Sequence, residues 1–146
     1  MIKIGVIGVG HLGSIHLRLL KEIPEYEVVG FFDTDRERAA ALEQEFEVKS
    51  WDDMNSLIEA CDAVDIVTPT VSHYECAKAA LKRFKHIFIE KPVTHTVEEA
   101  KSLQRLAREA NVKAMVGHVE RFNPAFLAVK DQDLRPLFIE SHRLAQ

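Results

Sequence analysis

Short apolar runs alternate with helical patterns along most of this chain, and that order constrains the fold more than any single motif does. The first run, IKIGVIGV, starts at residue 2, and the last, KAMVGHV, covers residues 113–119. Stretches with apolar residues at helical spacing separate the runs. Such alternation predicts a parallel sheet whose strands are joined by right-handed crossover helices. We expect six strands by about residue 119, and therefore an α/β fold with a doubly wound parallel sheet of the Rossmann type.

Three side chains stand where they can cap the amino ends of predicted helices. Asp35 precedes RERAAALEQEF, Ser72 precedes HYECAKAALKRF, and Thr96 precedes VEEAKSLQRLAREAN. Glu99 follows Thr96 at the spacing of a capping box. We therefore expect helices that begin directly after Asp35, Ser72 and Thr96.

The alternation breaks down in the last part of the chain. Asn123 and Pro124 predict the N-cap and the first residue of a helix in NPAFLAVKD, and PLFIESHRLA, residues 136–145, has the pattern of a strand. A terminal strand needs a sheet to join, because its backbone is otherwise unpaired. We predict a doubly wound α/β domain of the Rossmann type over residues 1–120. Residues 121–146 would then be a linker helix and the first strand of a further domain.

Length, charge and hydropathy narrow the class of protein. The chain has 146 residues, of which 47% are hydrophobic and 29% charged, as expected of one soluble globular domain. The formal net charge of -4 argues against a nucleic-acid partner, because clustered Lys and Arg are needed to neutralise phosphates. No run reaches the ~20 apolar residues of a membrane span, and no signal peptide precedes the first strand, so we expect a cytoplasmic protein. Cys61 and Cys76 form no C-x-x-C pair and are expected to be buried, unreactive thiols.

Gly8, Gly10 and Gly13 form the pattern G-x-G-x-x-G between the first predicted strand and the first predicted helix. In a dinucleotide cradle the first glycine makes the tight turn, the second admits the pyrophosphate to the backbone, and the third lets the helix pack on the strand. The pyrophosphate would lie at the helix amino terminus, beside His11 and Leu12, where free N–H groups favour negative charge. The pattern is short, so its context must support it.

An acidic residue supplies that context. Asp33 lies 20 positions beyond Gly13 and directly follows the apolar stretch VVGFF. This is the spacing of a carboxylate that accepts hydrogen bonds from the adenosine ribose, although an ordinary turn aspartate is the alternative. The carboxylate would repel a 2′-phosphate, which favours NAD over NADP. Arg36 and Arg38 leave NADP open, because an arginine just beyond this strand can receive the phosphate.

Taken together, these segments resemble one family. GVIGVGHLGSIH, Asp33, DAVDIVTPTVSHYECAKAAL and above all IEKP at residues 89–92 resemble the Gfo/Idh/MocA oxidoreductases, over nearly the whole chain. The resemblance implies that Lys91 is catalytic and reaches both the nicotinamide ribose and the substrate. It also places Glu90 and Pro92 at the cofactor, with Pro92 in a cis peptide bond. A lysine at the open edge of a parallel sheet can orient a sugar hydroxyl or ease its deprotonation.

The resemblance assigns further residues. Those expected at the cofactor are Thr68, Pro69, Thr70 and His73. Those expected at the substrate cleft are Arg121 and Asn123. No metal is expected, because the pair His73 and Cys76 offers too few ligands and the family needs none. Relatives usually have glycine where Phe84 stands, so the turn here must differ or carry strain of roughly 1 kcal/mol.

The function that the resemblance implies is hydride transfer between NAD(P) and a hydroxyl of a sugar, cyclitol or nucleotide sugar. GHVERFNPAF followed by IESHRLA is most similar to a nucleotide-sugar subgroup that includes UDP-N-acetylglucosamine 3-dehydrogenases. Relatives carry a second α+β domain that binds substrate and through which they assemble into homo-oligomers. This chain alone is expected to bind cofactor with little or no turnover. A non-catalytic module that senses NAD(H) is the alternative, whereas a domain without a nucleotide leaves Asp33 and the E-K-P unexplained.

Overall fold

The computed structural model describes residues 1–131, 135–140 and 142. Its strands are β1 (Ile2–Ile7), β2 (Tyr26–Phe32), β3 (Ala63–Ile66), β4 (His86–Ile89) and β5 (Ala114–Val116). Its helices are α1 (His11–Glu22), α2 (Arg36–Phe46), α3 (Met54–Ala60), α4 (Thr70–Leu81), α5 (Val97–Glu109) and α6 (Pro124–Leu127). A 3-10 turn spans Val119–Phe122.

All five strands are parallel and lie in the order β2-β1-β3-β4-β5. From β1 the chain first moves outward to β2, and it then crosses back and continues the other way through β3, β4 and β5. This reversal leaves a crevice at the carboxyl ends of the central strands. The doubly wound α/β fold predicted from the alternation is confirmed.

The described residues form five strands rather than the six expected. Beyond β2, where a sixth strand would lie, Phe31 and Ser50 form a single parallel bridge. The Phe31 N–H donates to Lys49 O at 3.0 Å, and the Trp51 N–H donates to Phe31 O at 2.8 Å. Only residues 47–53 separate α2 from α3, and the last of them caps α3. The connection therefore forms one bridge to β2 and no longer ladder.

Apolar side chains form one cluster on each face of the sheet. Successive side chains of a strand point to opposite faces, and the neighbours Val6 and Ile7 accordingly belong to different clusters. Val6 packs with Leu17 of α1 and Ala39 of α2. Ile7 belongs to the larger cluster, to which α3, α4 and α5 contribute. The helices thus cover both faces and leave the carboxyl ends of the strands accessible.

Two of the three predicted caps are confirmed. Asp35 Oδ1 accepts from the Arg38 N–H at 3.0 Å. Thr96 Oγ1 accepts from the Glu99 N–H at 3.2 Å, while the Glu99 carboxylate accepts from the Thr96 N–H at 3.1 Å, which completes the capping box. These caps fix the starts of α2 and α5.

The prediction that Ser72 caps a helix is wrong. The helix α4 begins at Thr70 with Pro69 at the N-cap, and the Ser72 N–H donates to Pro69 O at 2.8 Å. The proline ring holds φ at -56°, so the chain turns into the helix two residues before the serine.

In the last part of the chain, the predicted start of α6 is confirmed, and the predicted terminal strand stays a prediction. Asn123 Oδ1 accepts from the Ala125 N–H at 2.9 Å, and Pro124 is the first residue of α6. Of the strand predicted over residues 136–145, the structure describes residues 136–140 and 142, which pair with no strand of the described sheet. The other residues of that prediction lie outside the described ranges.

The turn between α4 and β4 keeps a left-handed residue without a glycine. Phe84 has a φ of 58° and an exposed side chain. The Phe84 N–H donates to Leu81 O at 3.0 Å, and the Lys85 N–H donates to Ala80 O at 3.1 Å. The turn therefore takes the strained form, at a cost of roughly 1 kcal/mol. Within the described ranges, no helix has the length and apolar character needed to cross a membrane.

Candidate functional site

A cleft of about 570 Å³ opens at the carboxyl ends of β1, β2 and β3. It is lined by the turn after β1, the end of β2 and the segment after β3. The predicted site residues that line it are Gly8, Gly10, His11, Leu12, Asp33, Thr68 and Pro69. The fold thus brings motifs that are far apart in sequence to one crevice.

The three glycines of the turn meet different surroundings. Gly8 has a φ of +87°, and a Cβ there would lie 2.9 Å from the Thr68 backbone. A Cβ on Gly13 would lie 1.9 Å from the carbonyl oxygen of Gly8. A Cβ on Gly10 would meet nothing within 4 Å. The packing of the protein itself thus excludes side chains at Gly8 and Gly13, whereas Gly10 borders open space that a bound group can occupy.

The amino terminus of α1 points into this space without a side-chain cap. Gly10 is the N-cap residue and supplies no capping group, and the first turn carries no acidic residue. The N–H groups of the first turn of a helix have no partner within the helix. Together with the helix dipole, such groups can bind an anion. His11 and Leu12 are exposed beside it.

Asp33 is a buried carboxylate whose two oxygens face different partners. Oδ2 accepts from the Val9 N–H at 2.8 Å. Oδ1 accepts from the Asp35 N–H at 2.8 Å and from Arg38 Nη2 at 2.9 Å. Burial opposes ionisation, but these hydrogen bonds outweigh it and lower the pKa of Asp33 below its usual value. The side chain is therefore an ionised acceptor at the wall of the cleft.

The two arginines after β2 point to different places. Arg38 lines the cleft, where it contacts Asp33 and also lies 3.2 Å from the carboxylate of Asp35. Arg36 turns away and pairs with the carboxylate of Asp52 at 3.2 Å. Of this pair, Arg38 is the one placed to contact a group bound beside Asp33.

The E-K-P turn follows β4 at the same edge of the sheet but does not line the cleft. Lys91 and Pro92 are exposed, and the peptide bond between them is cis, as expected. The Glu90 side chain accepts from the Lys91 N–H at 3.1 Å and lies against Gly117. No ion pair joins the Lys91 amine to another residue in the described part of the chain.

Neither His73 nor Thr70 lines the cleft, although both were expected at the cofactor. Thr70 is the first residue of α4, and His73 is 1% exposed. The ring nitrogens of His73 lie 2.8 Å from Thr68 O and 2.9 Å from Pro92 O. The imidazole thereby connects the segment after β3 with the E-K-P turn.

The two residues expected at the substrate cleft lie beyond β5. Arg121 is exposed within the 3-10 turn. Asn123 caps α6, and its Nδ2 donates to Glu120 Oε2 at 2.9 Å. Neither residue lines the cleft at the carboxyl ends of β1, β2 and β3.

A polar cluster that the sequence analysis missed lies between α1 and the sheet. His16 Nδ1 is 2.9 Å from Asp65 Oδ2, and His16 Nε2 is 3.7 Å from Glu90 Oε1. The hydrogen bond to Asp65 raises the pKa of His16, with burial opposing it. Burial raises the pKa of Asp65, with His16 opposing it. The signal was present, because Asp65 interrupts an apolar strand and a buried charge requires a partner.

The two cysteines are buried, as predicted. Burial raises the pKa of Cys61 to about 12 and also raises the pKa of Cys76. Both thiols are therefore protonated and unreactive at neutral pH. Among the described residues, no three His, Cys, Asp or Glu side chains are grouped to hold a metal ion.

A larger groove of about 730 Å³ runs along α5 beside β4 and β5. Its lining is mainly aliphatic and includes none of the predicted site residues. The larger volume of this groove does not make it the candidate site. The smaller cleft is the candidate, because the predicted polar groups converge there.

Comparison with known proteins agrees with this geometry. The GFO_IDH_MocA family model, an oxidoreductase family with an NAD-binding Rossmann fold, matches residues 2–118. The UDP-N-acetylglucosamine 3-dehydrogenase of Acidithiobacillus ferrooxidans is 37% identical over 144 residues, covering 98% of this chain and 45% of that protein. A solved structure of that enzyme has a TM-score of 0.84, covering 88% of this chain and 42% of its own.

Two inositol dehydrogenases of Bacillus subtilis are also similar. The scyllo-inositol 2-dehydrogenase (NAD(+)) is 34% identical, over 88% of this chain and 39% of that protein. The scyllo-inositol 2-dehydrogenase (NADP(+)) is 33% identical, over 88% of this chain and 36% of that protein. The chain spans less than half the length of each of these relatives. The chain belongs to the Gfo/Idh/MocA oxidoreductase family, and residues 2–118 match its NAD-binding Rossmann domain.

Proposed function

We propose that this chain is the cofactor-binding part of a dehydrogenase that transfers hydride between a nicotinamide dinucleotide and a hydroxyl of a sugar, cyclitol or nucleotide sugar. The observation that carries the proposal is the cleft where the uncapped end of α1, the open space at Gly10 and the Asp33 carboxylate meet. The matched relatives are named as dehydrogenases, which supports catalysis rather than a non-catalytic NAD(H)-sensing module.

Each wall of the cleft suits one part of the cofactor. The first-turn N–H groups of α1 would hold the pyrophosphate, and Asp33 would accept hydrogen bonds from the adenosine ribose. Thr68 and Pro69 would pack against the bound dinucleotide. When bound, the nicotinamide ring gives or accepts the hydride. The protein supplies orientation and charge.

Lys91 is the proposed catalytic residue. Its amine is exposed at the carboxyl edge of the sheet, next in order to the strands that form the cleft. There it would orient the nicotinamide ribose and assist proton transfer at the substrate hydroxyl. Glu90, Pro92 and His73 hold the turn that carries it, through the contacts described above.

Substrate recognition and assembly are assigned to the last part of the chain and its continuation in longer relatives. We propose residues 1–120 as the cofactor domain and residues 121–146, with Arg121 and Asn123, as the start of the substrate and oligomerisation domain. The 37% identity to a UDP-N-acetylglucosamine 3-dehydrogenase supports a nucleotide sugar as substrate. The free, buried thiols suit a reducing compartment, and we place the enzyme in the cytoplasm, as a homo-oligomer in its full-length form.

NAD is the proposed cofactor. Asp33 is ionised beside the expected ribose position, and a carboxylate there repels a 2′-phosphate. NADP is the second candidate, because Arg38 lies at the same wall and a relative that uses NADP(+) is 33% identical. The distinction depends on whether Arg38 stays paired with Asp33.

The test is a calorimetric titration of the chain with NADH and, separately, NADPH. We expect tighter binding of NADH in the wild type and at least about a tenfold loss of that preference in Asp33→Ala. Asp52→Ala, which removes an exposed carboxylate on the far side of Arg36, is the matched control and should leave the preference unchanged. A wild-type preference for NADPH would contradict the choice of NAD. Failure of a folded chain to bind either nucleotide would contradict the function.

A further inference from the structure

The cluster of His16, Asp65 and Glu90 joins three elements that the proposed site needs. His16 comes from α1, the helix whose amino end would hold the pyrophosphate. Asp65 comes from β3, and Glu90 directly follows β4. The imidazole lies between the two carboxylates, with Nδ1 2.9 Å from Asp65 and Nε2 3.7 Å from Glu90.

The cluster is enclosed. The side chains of Asp65, Glu90 and His16 are 4%, 12% and 18% exposed, and the Phe88 ring lies edge-on to His16 with centroids 6.1 Å apart. Asp65 Oδ1 is buried and has no hydrogen-bond partner among the described residues. A carboxylate in that position depends on its remaining partner, and here that partner is His16. The two carboxylates thus favour the imidazolium form of His16.

The cluster continues into the turn that carries Lys91. Glu90 faces His16 through Oε1 and accepts from the Lys91 N–H through Oε2 at 3.1 Å. A Cβ added to Gly117 of the neighbouring segment would lie 2.5 Å from Glu90 Oε1, so the carboxylate lies directly against this glycine. A change in the orientation of the Glu90 side chain therefore changes the hydrogen bond to the Lys91 N–H directly.

We propose that His16 is a positioning residue for Lys91, acting through the Glu90 carboxylate while Asp65 holds the imidazole in place. The proposal rests on the proposed function, since it assigns His16 to the lysine that would contact the nicotinamide ribose. His16 itself does not line the cleft.

A double-mutant cycle in NADH affinity tests this coupling. We expect His16→Gln and Lys91→Ala each to weaken NADH binding by about 5-fold, and the double variant to bind no more weakly than Lys91→Ala alone. Glu90→Gln keeps an acceptor for the Lys91 N–H but removes the charge that faces His16. It should weaken NADH binding as His16→Gln does. His86→Gln is the matched control, because His86 stands at the opposite end of β4, where its Nδ1 accepts from the Lys113 N–H.

A spectroscopic signature separates positioning from a general loss of stability. In the chain without cofactor, His16→Gln should shift the backbone amide resonance of Lys91, and His86→Gln should leave it in place. Melting curves that remain cooperative would establish that each variant is folded.

The possible outcomes separate this proposal from the function on which it rests. Independent effects of His16→Gln and Lys91→Ala that multiply in the double variant would overturn the positioning role and leave cofactor binding intact. An unchanged Lys91 amide resonance, or a Lys91→Ala variant with wild-type affinity, would also overturn it. A folded wild type that does not bind NADH would overturn the proposed function and this proposal with it.

Discussion

The turn after β1 and the turn after β4 lie at the same edge of the sheet but are held in different ways. Sterics shape the first, because the protein leaves no room for a Cβ at Gly8 or Gly13. Buried charges hold the second, where Glu90 lies between His16 and the Lys91 N–H. A turn shaped by sterics requires glycines at a fixed spacing, which can be recognised in the sequence. A charge cluster is formed by residues from separate elements, and no fixed spacing in the sequence marks it.

The largest effect expected of the steric turn is at Gly13. Gly13→Ala places a Cβ where the Gly8 carbonyl oxygen is only 1.9 Å away, so backbone must move. We expect the free energy of unfolding in urea to fall by about 3 kcal/mol. Gly10→Ala is the control and should cost at most about 1 kcal/mol, because its Cβ enters open space. Equal losses in the two variants would show that sterics do not distinguish these glycines.

The charged turn should respond to pH. Asp65 on β3 and Glu90 after β4 face His16, and its pKa in the folded protein is raised from 6.5, chiefly by Asp65. The stabilisation is therefore complete below about pH 6.5 and is lost as pH rises through the folded-state pKa. We expect wild type to exceed His16→Gln in unfolding free energy by about 1–2 kcal/mol at pH 6, and by less at pH 9.

Urea unfolding of both proteins at the two pH values checks this prediction. Asp65→Asn should remove the same pH dependence, because the imidazolium then loses its main partner. A difference between wild type and His16→Gln that stays constant from pH 6 to pH 9 would show that His16 acts by packing alone.

The smallest effect extends the steric argument to a turn far from the site. Phe84 has a φ of 58° and an exposed ring, so Phe84→Gly relieves strain and removes little packing. We expect a gain of about 0.5–1 kcal/mol in unfolding free energy, and no such gain in Phe84→Ala, which retains a Cβ. A loss of stability in the glycine variant would mean that the ring contributes more than the strain costs.

The features that could be predicted from the sequence are those with a fixed spacing, as in the turn after β1. The glycines, Asp33 and the alternation of strands and helices have fixed spacings, and the structure brings Gly8, Gly10 and Asp33 into one cleft within the predicted fold. The strand count was wrong because the connection between α2 and α3 forms only one bridge to β2, at Ser50. Ser72 was misplaced because Pro69 starts the helix earlier.

Contacts between residues that are far apart in the sequence could not be predicted from the spacing of motifs. Positions 16, 65 and 90 share no periodic relation, and only the charge of Asp65 within a buried strand pointed to their cluster. The strand expected from residue 136 onward depended on a pairing partner, and the described sheet provides none. The alternation of residues in a strand pattern predicts which face is buried, but it does not predict which strand will pair with it.

The most direct test of the account is a calorimetric titration of this chain with NADH, in the wild type and in Gly10→Val. The account predicts saturable binding by the wild type and at least about a tenfold weaker affinity in Gly10→Val, whose side chain would fill the open space beside the end of α1. Cooperative unfolding of both proteins serves as the folding control. A folded wild type that does not bind NADH, or a Gly10→Val variant that binds as tightly, would contradict the claim that this glycine turn holds the cofactor.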